Sequence, residues 1–440
     1  MMMGGLQMRF LDFSHRTQNR DKPSAASVRH TPYLTDGRVP TQYPWLDQHQ
    51  SCDVCVIGDG LTAALCTLRL AERGRSVVML ADRSIGFGED ACLPVQVDAD
   101  FGMTLVGMSR HFPMDTSLRL LTLGSETLDE LEHLCRSLDG QKGNDGFLSG
   151  FERRDSLLYT DDDRESALLE HEYRARRRHR FDCVRLSRET ARDTFGFDIR
   201  DGLLSKGFGA SLQPYYLLHL CLKLAVKHGA AVFEHCGPLA IDPPPDDNAG
   251  VRILAASHRT VYADRLIMAT GSRGLRTVLP DICRFTHDCL ITRPLSAENL
   301  ACWPGRCHIR RFGNPHTSFA FTPDGRIAAD RWTSRRLTRS LPFLIDSENR
   351  AAAQIEAELT ALFSAVPTTE SAYVLSQAYC IAYDGLPVIG IHPDYPCCVW
   401  ALCSGPGTVL FALPVADAAA DLAEEKPCEE TIADLFSITR

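Results

Sequence analysis

Apolar and polar positions alternate in two rhythms along this chain. The run Asp53-Val-Cys-Val-Ile-Gly58 is almost continuously apolar, as a strand buried on both faces of a parallel sheet requires. From Leu61 to Arg73 the apolar residues recur at helical spacing (Leu65, Leu68, Leu70, Ala71), and Gly74 stops the segment. Ser76-Val-Val-Met-Leu80 is a second buried strand. Strand, glycine turn, helix, glycine and strand within about thirty residues make a βαβ unit.

Further on, the pattern predicts a long amphipathic helix over 114–140 and a charged, less periodic stretch from Asp155 to Thr194, with a short strand at Leu157-Leu158-Tyr159. A helix is expected from Tyr215 to His228, ending at Gly229, with strand Ala231-Val-Phe233 behind it. A strand pair around Val251–Ala255 and Thr260–Tyr262 precedes the buried strand Arg265–Ala269. Alternation through 285–345, with the turn signal Asp324-Gly325, reads as antiparallel sheet. A helix over 350–363, a buried strand over 399–403 and a helix from Val409 to about Glu425 complete the pass.

Buried-strand elements thus stand at both ends of the chain and near residue 265, with antiparallel material between them. The expected fold is α/β, with a discontinuous Rossmann-like domain formed by residues 51–110, 200–280 and 375–430. An α+β antiparallel-sheet domain, residues 111–199 and 281–374, is inserted into it. Residues 1–30 are polar and basic and read as a disordered leader; residues 31–50, rich in Pro and aromatic residues, read as an extended arm.

Composition narrows the function classes. At 440 residues the chain has room for two or three cores, and 44% hydrophobic with 23% charged residues is ordinary for a globular protein. A net charge of −9 does not draw the whole molecule to nucleic acid or to anionic membrane. The basic run Arg174-Ala-Arg-Arg-Arg-His-Arg180 reads as a solvated face at a helix end. No stretch approaches the roughly 18–20 apolar residues of a membrane span. The 17 cysteines are scattered through apolar segments and read as buried reduced thiols, which points to a reducing compartment and the cytoplasm. Cys52 and Cys55, three apart on a strand, are expected on opposite faces. No two of the 15 histidines stand four residues apart, so no metal site is expected.

Four glycine-bearing segments carry the chemistry. Gly58-Asp-Gly60-Leu-Thr-Ala63 is a G-x-G-x-x-A turn between a buried strand and a helix. Gly58 permits the tight turn, Gly60 leaves room for a pyrophosphate, and Ala63 allows close helix–strand packing. The pyrophosphate then rests on the N–H groups of the helix N-terminus. At the end of the second strand, where an acid normally binds the adenosine ribose, the chain reads Ala81-Asp82-Arg83. Asp82 serves if the strand ends one residue late; Arg83 beside it could instead suit a 2′-phosphate, but the rest of the pattern argues against NADP. Ala269-Thr270-Gly271 lets the chain pass a dinucleotide without side-chain obstruction. Tyr383-Asp-Gly-Leu-Pro-Val-Ile-Gly390 is followed by Ser404-Gly405-Pro-Gly407-Thr408, a second strand–glycine–helix junction that could aim a helix N-terminus at a cofactor.

In this order the segments resemble the FAD-dependent oxidoreductase family of D-amino-acid oxidase, glycine oxidase, sarcosine oxidase and the γ-glutamylputrescine oxidoreductases. The resemblance covers about residues 40–425 and also rests on Tyr43-Pro-Trp-Leu46, Gly209-Ala-Ser-Leu-Gln-Pro214 and Asp324-Gly-Arg326. It implies that FAD binds extended at Gly58, Gly60, Ala63, Asp82, Arg83, Ala269, Thr270, Gly271, Gly405, Gly407 and Thr408. The second domain would roof the flavin, where the C–N bond of an amine or amino acid gives up a hydride and dioxygen or another acceptor takes the electrons. The catalytic residues are not identified by the resemblance.

The chain also departs from the family pattern. Ala81 stands where the family has its ribose-binding Glu. The family's small-residue G-A-S-G-x-N turn is here Gly86-Phe-Gly-Glu-Asp-Ala-Cys92, bulky and acidic. Ser376-Gln-Ala-Tyr-Cys380 lacks the carboxylate-clamping Arg of members that handle amino acids, which favours an amine or N-substituted substrate. A second reading stays open beside the enzyme: a flavin-poor, non-catalytic relative acting as a partner or scaffold subunit.

Overall fold

The computed structural model describes residues 11–12, 39–143, 146–196, 198–242, 250–279, 281–300, 303–313, 316–334, 344–363, 371–393, 395–396 and 398–440. Two sheets organise them. In the first, the strands Ala231–Phe233, Val77–Leu80, Gln50–Ile57, Thr260–Met268 and Cys398–Leu402 lie side by side and parallel, and Val388–Ile391 closes the edge antiparallel. This is the α/β, Rossmann-like arrangement expected. Thr260–Met268 is one strand where two were expected, because its halves have different neighbours. Its first half pairs antiparallel with Val251–Ala255, and its last three residues pair parallel with Cys398–Trp400. The sequence follows that division: Thr-Val-Tyr-Ala-Asp alternates, while Leu-Ile-Met is buried throughout.

One face of this sheet carries the helices Leu61–Glu72, Pro214–Lys227 and Thr408–Ala423, and Met114–Asp139 packs outside them. The other face is closed by a smaller cluster that includes Trp400 and Leu275. Cys52 and Cys55 both join this second cluster, against the expectation of opposite faces. The N–H groups of Asp53 and Val54 both donate to the carbonyl of Ser76, at 3.0 and 3.1 Å, a kink that shifts the alternation by one residue. Cys52, Cys55, Cys66, Cys135, Cys183, Cys221 and the other cysteines with described side chains are free thiols.

The second sheet runs Ser371–Ala382, Ile282–Thr292, Ile327–Ser334, His316–Phe321, His308–Arg311, Glu152–Thr160, Asp201–Ser211 and Gln96–Asp98. Two of these strands, and most of a third, lie outside the expected inserted segments. Gln96–Asp98, Asp201–Ser211 and residues 375–382 of Ser371–Ala382 were expected with the nucleotide-binding part, yet each forms its ladder with strands of the second sheet. Strand composition does not say which sheet a strand joins; the register does.

The charged stretch 155–194 holds two helices, Asp163–Arg178 and Arg188–Phe195, and the strand Cys183–Ser187. The first helix lacks apolar periodicity because its inward face is ionic, with Glu172 and Arg176 buried beside Leu169. Arg176 therefore leaves the solvated basic run to which the sequence assigned it. Most of the leader lies outside the described residues, but Leu11 and Asp12 pair antiparallel with Ile241 and Ala240 instead of being disordered. The described part of the arm, residues 39–49, lies against the turn after Ala231–Phe233. The Tyr43 N–H donates to Glu234 Oε2 at 3.2 Å, the Leu46 N–H to Cys236 Sγ at 3.1 Å, and Leu46 is buried.

Candidate active site

A cleft of about 390 Å³ opens at the carboxyl ends of Gln50–Ile57 and Thr260–Met268. Gly58 must be glycine there: a Cβ would strike the Ala269 carbonyl oxygen and come within 2.8 Å of the Ala63 Cβ. The turn, the helix and the neighbouring strand end are therefore packed backbone to backbone. Gly60 is the N-cap of Leu61–Glu72 and offers no side chain to its first N–H groups.

That helix end is nevertheless capped. Asp90, on the 3₁₀ turn Glu89–Cys92, accepts the Leu61 N–H with its Oδ2, in the space a Gly60 side chain would take. Its neighbour Glu89 does the same at the helix Gly271–Val278. There Glu89 Oε2 accepts the Ser272 N–H at 3.2 Å and stands 3.4 Å from Ser404 Oγ. The Tyr379 hydroxyl donates to the Glu89 carbonyl at 2.8 Å and pins the turn under the second sheet. Asp59 pairs with Arg83 at 2.7 Å and Asp82 with Arg273 at 3.1 Å.

Four carboxylates thus crowd one mouth. Burial pushes Asp90 up to about 7, opposed by the Leu61 N–H and reinforced by Asp59 and Glu89. Burial also raises Glu89, against its hydrogen bonds from Ser272, and raises Asp59, against Arg83 and Arg273.

The second sheet roofs this cleft, and register shows what it presents. Leu375 and Gln377 line the cleft. Gln377 lies opposite His287, which lies opposite Trp332; Leu375 lies opposite Cys289, then Asp330, Ser318 and Arg310. Directly paired residues share a face, so both rows run inward from the cleft. They end at a smaller cavity of about 40 Å³ lined by Gln96, Asp98, Arg310, Ser318, Trp332 and Pro406 among others. Between the two spaces, His287 Nε2 and Asp330 Oδ1 are 2.6 Å apart and the imidazole stacks on Trp332, with centroids 4.2 Å apart and planes 7° apart. Both residues are buried, and neither His287 Nδ1 nor Asp330 Oδ2 has a hydrogen-bond partner among the described residues.

The arginine of the inner cavity is already engaged. Arg310 donates to both oxygens of Asp100 at 2.7 and 2.6 Å, and Arg176 donates to Asp100 at 2.8 Å and to Glu172 at 2.6 Å. Asp98 is 3.0 Å from His308 Nδ1. Burial alone would raise Asp98 and Asp100; His308 and Arg310 hold the first below its usual value, and Arg310 and Arg176 the second.

The chain matches a family model described as FAD dependent oxidoreductase over residues 53–422, through both sheets and the cleft. The chain belongs to this family. "Probable oxidoreductase OrdL" of Haemophilus influenzae is 26% identical over 248 residues, 54% of this chain and 53% of that protein. Gamma-glutamylputrescine oxidoreductase of Escherichia coli is 31% identical over 88 residues, 20% of this chain and 21% of that protein. The matched parts are therefore about half and about a fifth of those relatives. Glycine oxidase from Geobacillus kaustophilus superposes with a TM-score of 0.70 at 17% identity, covering 89% of this chain and 99% of that one. L-amino acid deaminase from Proteus vulgaris, with its specific insertion sequence deleted, gives 0.68 at 18%, covering 94% and 99%. At these identities the superpositions speak for the fold.

FAD is the family's cofactor, and the cleft fits it in one specific sense. The N–H groups of Leu61 and Ser272, at two helix N-termini beside it, are bonded to the carboxylates of Asp90 and Glu89, which line the cleft, and a helix N-terminus is where a phosphate oxygen bonds. Of the residues expected to bind the cofactor, Gly58, Gly60, Asp82, Arg83, Ala269, Thr270 and Gly271 line the cleft. Ala63 lies behind Gly58, fully buried. Gly405, Gly407 and Thr408 do not line it; they stand behind Cys403 and Ser404, with Ser404 Oγ 2.8 Å from Ser272 Oγ, and Pro406 faces the inner cavity. Ala81 is fully buried with its N–H donated to Phe233, whereas Asp82 reaches the mouth. Sequence reasoning marked the acidic turn 86–92 only as a departure. It missed His287, Asp330 and Arg310, whose one signal is an ionisable residue inside an apolar alternating strand.

Proposed function

We propose that this chain oxidises the C–N bond of a small amine, with FAD along the cleft and the substrate under the second sheet. Bound FAD supplies the two-electron acceptor at N5 of its flavin ring; the rest of the work falls to the chain. In this reading Gly58 and Gly60 let the dinucleotide approach, Asp82 takes the adenosine ribose, and Ala269-Thr270-Gly271 clears its path. The nucleotide-binding unit comprises the first sheet and its helices, and the second sheet is the substrate unit.

The observation that carries the substrate class is the inner cavity. Its arginine, Arg310, is held bidentate by Asp100 and faces Asp98 at 3.9 Å, so it is not available to clamp a substrate carboxylate. Of the two ionisable residues that line the inner cavity, Asp98 and Arg310, the arginine is spent on Asp100, which leaves Asp98 to favour an ammonium group over a carboxylate. His287, paired with Asp330 and carrying an unbonded Nδ1, is the group we assign to take a proton from that ammonium, because only the free amine can lose hydride from its carbon. Dioxygen or another acceptor then removes the electrons. Reduced thiols and the acidic surface are consistent with a cytoplasmic enzyme, and no described helix is long and apolar enough to cross a membrane.

Anaerobic mixing of the FAD-loaded protein with primary amines, N-methyl amines and free amino acids tests this. Bleaching of the flavin band by amines, with amino acids slower, is expected. Preference for amino acids would refute the substrate class.

A further inference from the structure

The turn that departs most from the family pattern is also the turn that fills the anion seat. Asp90 accepts from the first free N–H of one helix, and Glu89 from the N–H of Ser272 at the start of another. These are the two donors that the glycine turns would otherwise present to a diphosphate. Glu89 and Asp90 are held from several sides: Asp90 is half-buried against the Leu61 N–H, Tyr379 holds the Glu89 carbonyl, and the preceding Phe87 packs edge-on against Tyr215 with centroids 6.4 Å apart. We propose that the Glu89–Asp90 turn is a built-in anion that occupies the diphosphate seat. FAD affinity is then set by how readily these two carboxylates are neutralised or displaced. The inference rests on the FAD reading above and adds residues that control it.

The consequences follow from charge. A diphosphate brought beside two ionised carboxylates is repelled, and a proton taken up by either one relieves the repulsion. FAD binding is therefore coupled to proton uptake and tightens as the pH falls. The groups facing Asp90 set where this happens. Glu89 and Asp59 oppose its ionisation, Arg83 and Arg273 are spent on Asp59 and Asp82, and the helix Pro214–Lys227 presents Tyr215 and His219, buried and kept neutral, behind Gly86. Cys403 and Tyr379 complete the surround, and burial raises the Cys403 thiol, so it stays protonated. The pH dependence thus falls on Asp90 and Glu89.

The test is an FAD titration of the full apo-chain, followed by quenching of flavin fluorescence, on the wild type, Asp90→Asn, Glu89→Gln and the double variant. In Asp90→Asn the new amide oxygen can still accept the Leu61 N–H, so the helix cap survives; Glu89→Gln serves if Asp90→Asn fails to fold. Each neutralisation should tighten FAD about ten- to a hundredfold near pH 8. ADP, which carries the same diphosphate, should tighten alike, while adenosine, which lacks it, should not change. Wild-type affinity should rise by up to about tenfold per pH unit as the pH drops towards about 7 and level off below, and Asp90→Asn should flatten that slope. Unchanged or weaker FAD binding in both single variants would overturn the proposal and leave the FAD reading standing. If no variant bound FAD, the proposal would fall together with the FAD reading, and the non-catalytic alternative would take its place.

Discussion

Arg310→Met puts the ionic core beneath the second sheet to a quantitative test. The substitution roughly keeps the stem volume and removes two hydrogen bonds, at 2.7 and 2.6 Å, from a fully enclosed Asp100. Arg176 then faces Asp100 and Glu172 alone, and Asp98 loses the guanidinium 3.9 Å away. Breaking a buried ion pair from one side costs about 3–5 kcal/mol, because the remaining charge stays out of water. That is a large part of the total stability of a typical domain.

The pH dependence supplies the sharper signature. In the wild type, Asp98 and Asp100 lie below their unfolded value of 3.8 despite burial. They contribute stability that is fully present above that value and is lost only as the pH falls through their folded values. Without Arg310, burial prevails and at least one carboxyl rises above 3.8. Its contribution is then present at low pH and lost as the pH rises through the raised value. Urea unfolding at about pH 8 and about pH 5 should show a gain on acidification in the wild type, from the raised carboxyls Asp90, Glu89 and Asp59, and a clearly larger gain in the variant. Arg310→Met with Asp100→Asn should recover much of the loss. A cost under about 1 kcal/mol, or a pH profile parallel to the wild type, would refute the reasoning.

Gly60→Val should abolish FAD binding with little change in fold, since its side chain would enter the space of the Asp90 carboxylate and block the helix end; full cofactor content in the variant would displace Gly60 from the seat. Asp82→Ala should weaken FAD by about ten- to a hundredfold, the worth of one charge-assisted hydrogen bond of about 1.5–3 kcal/mol; the measurement is flavin released on dilution, and equal retention would remove Asp82 from the ribose. His287→Gln should lower kcat/KM for an amine about a hundredfold or more at unchanged FAD content, as loss of a proton acceptor requires; an unchanged rate would place the proton elsewhere.

The amino-acid sequence by itself determined the elements whose chemistry is local. Asp53–Gly58 can only be a strand buried on both faces, Gly58 and Gly60 can only be a tight turn before a helix, and Leu61–Glu72 ends where Gly74 adopts a positive φ of 78°. These few residues, with Ala269–Gly271, made the nucleotide-binding half and its family legible. Tertiary structure decided what depends on distant partners. Which sheet Asp201–Ser211 and Ser371–Ala382 join is set by register with strands far along the chain, and nothing in their composition encodes it. The same register brings His287 to Asp330 and Arg310 to Asp100, across 43 and 210 residues. The acidic turn looked like a mere departure from pattern, because in the sequence Asp90 and Leu61 lie 29 residues apart. A carboxylate becomes an occupant of the anion seat only when folding sets it against a helix N-terminus and strips away part of its water.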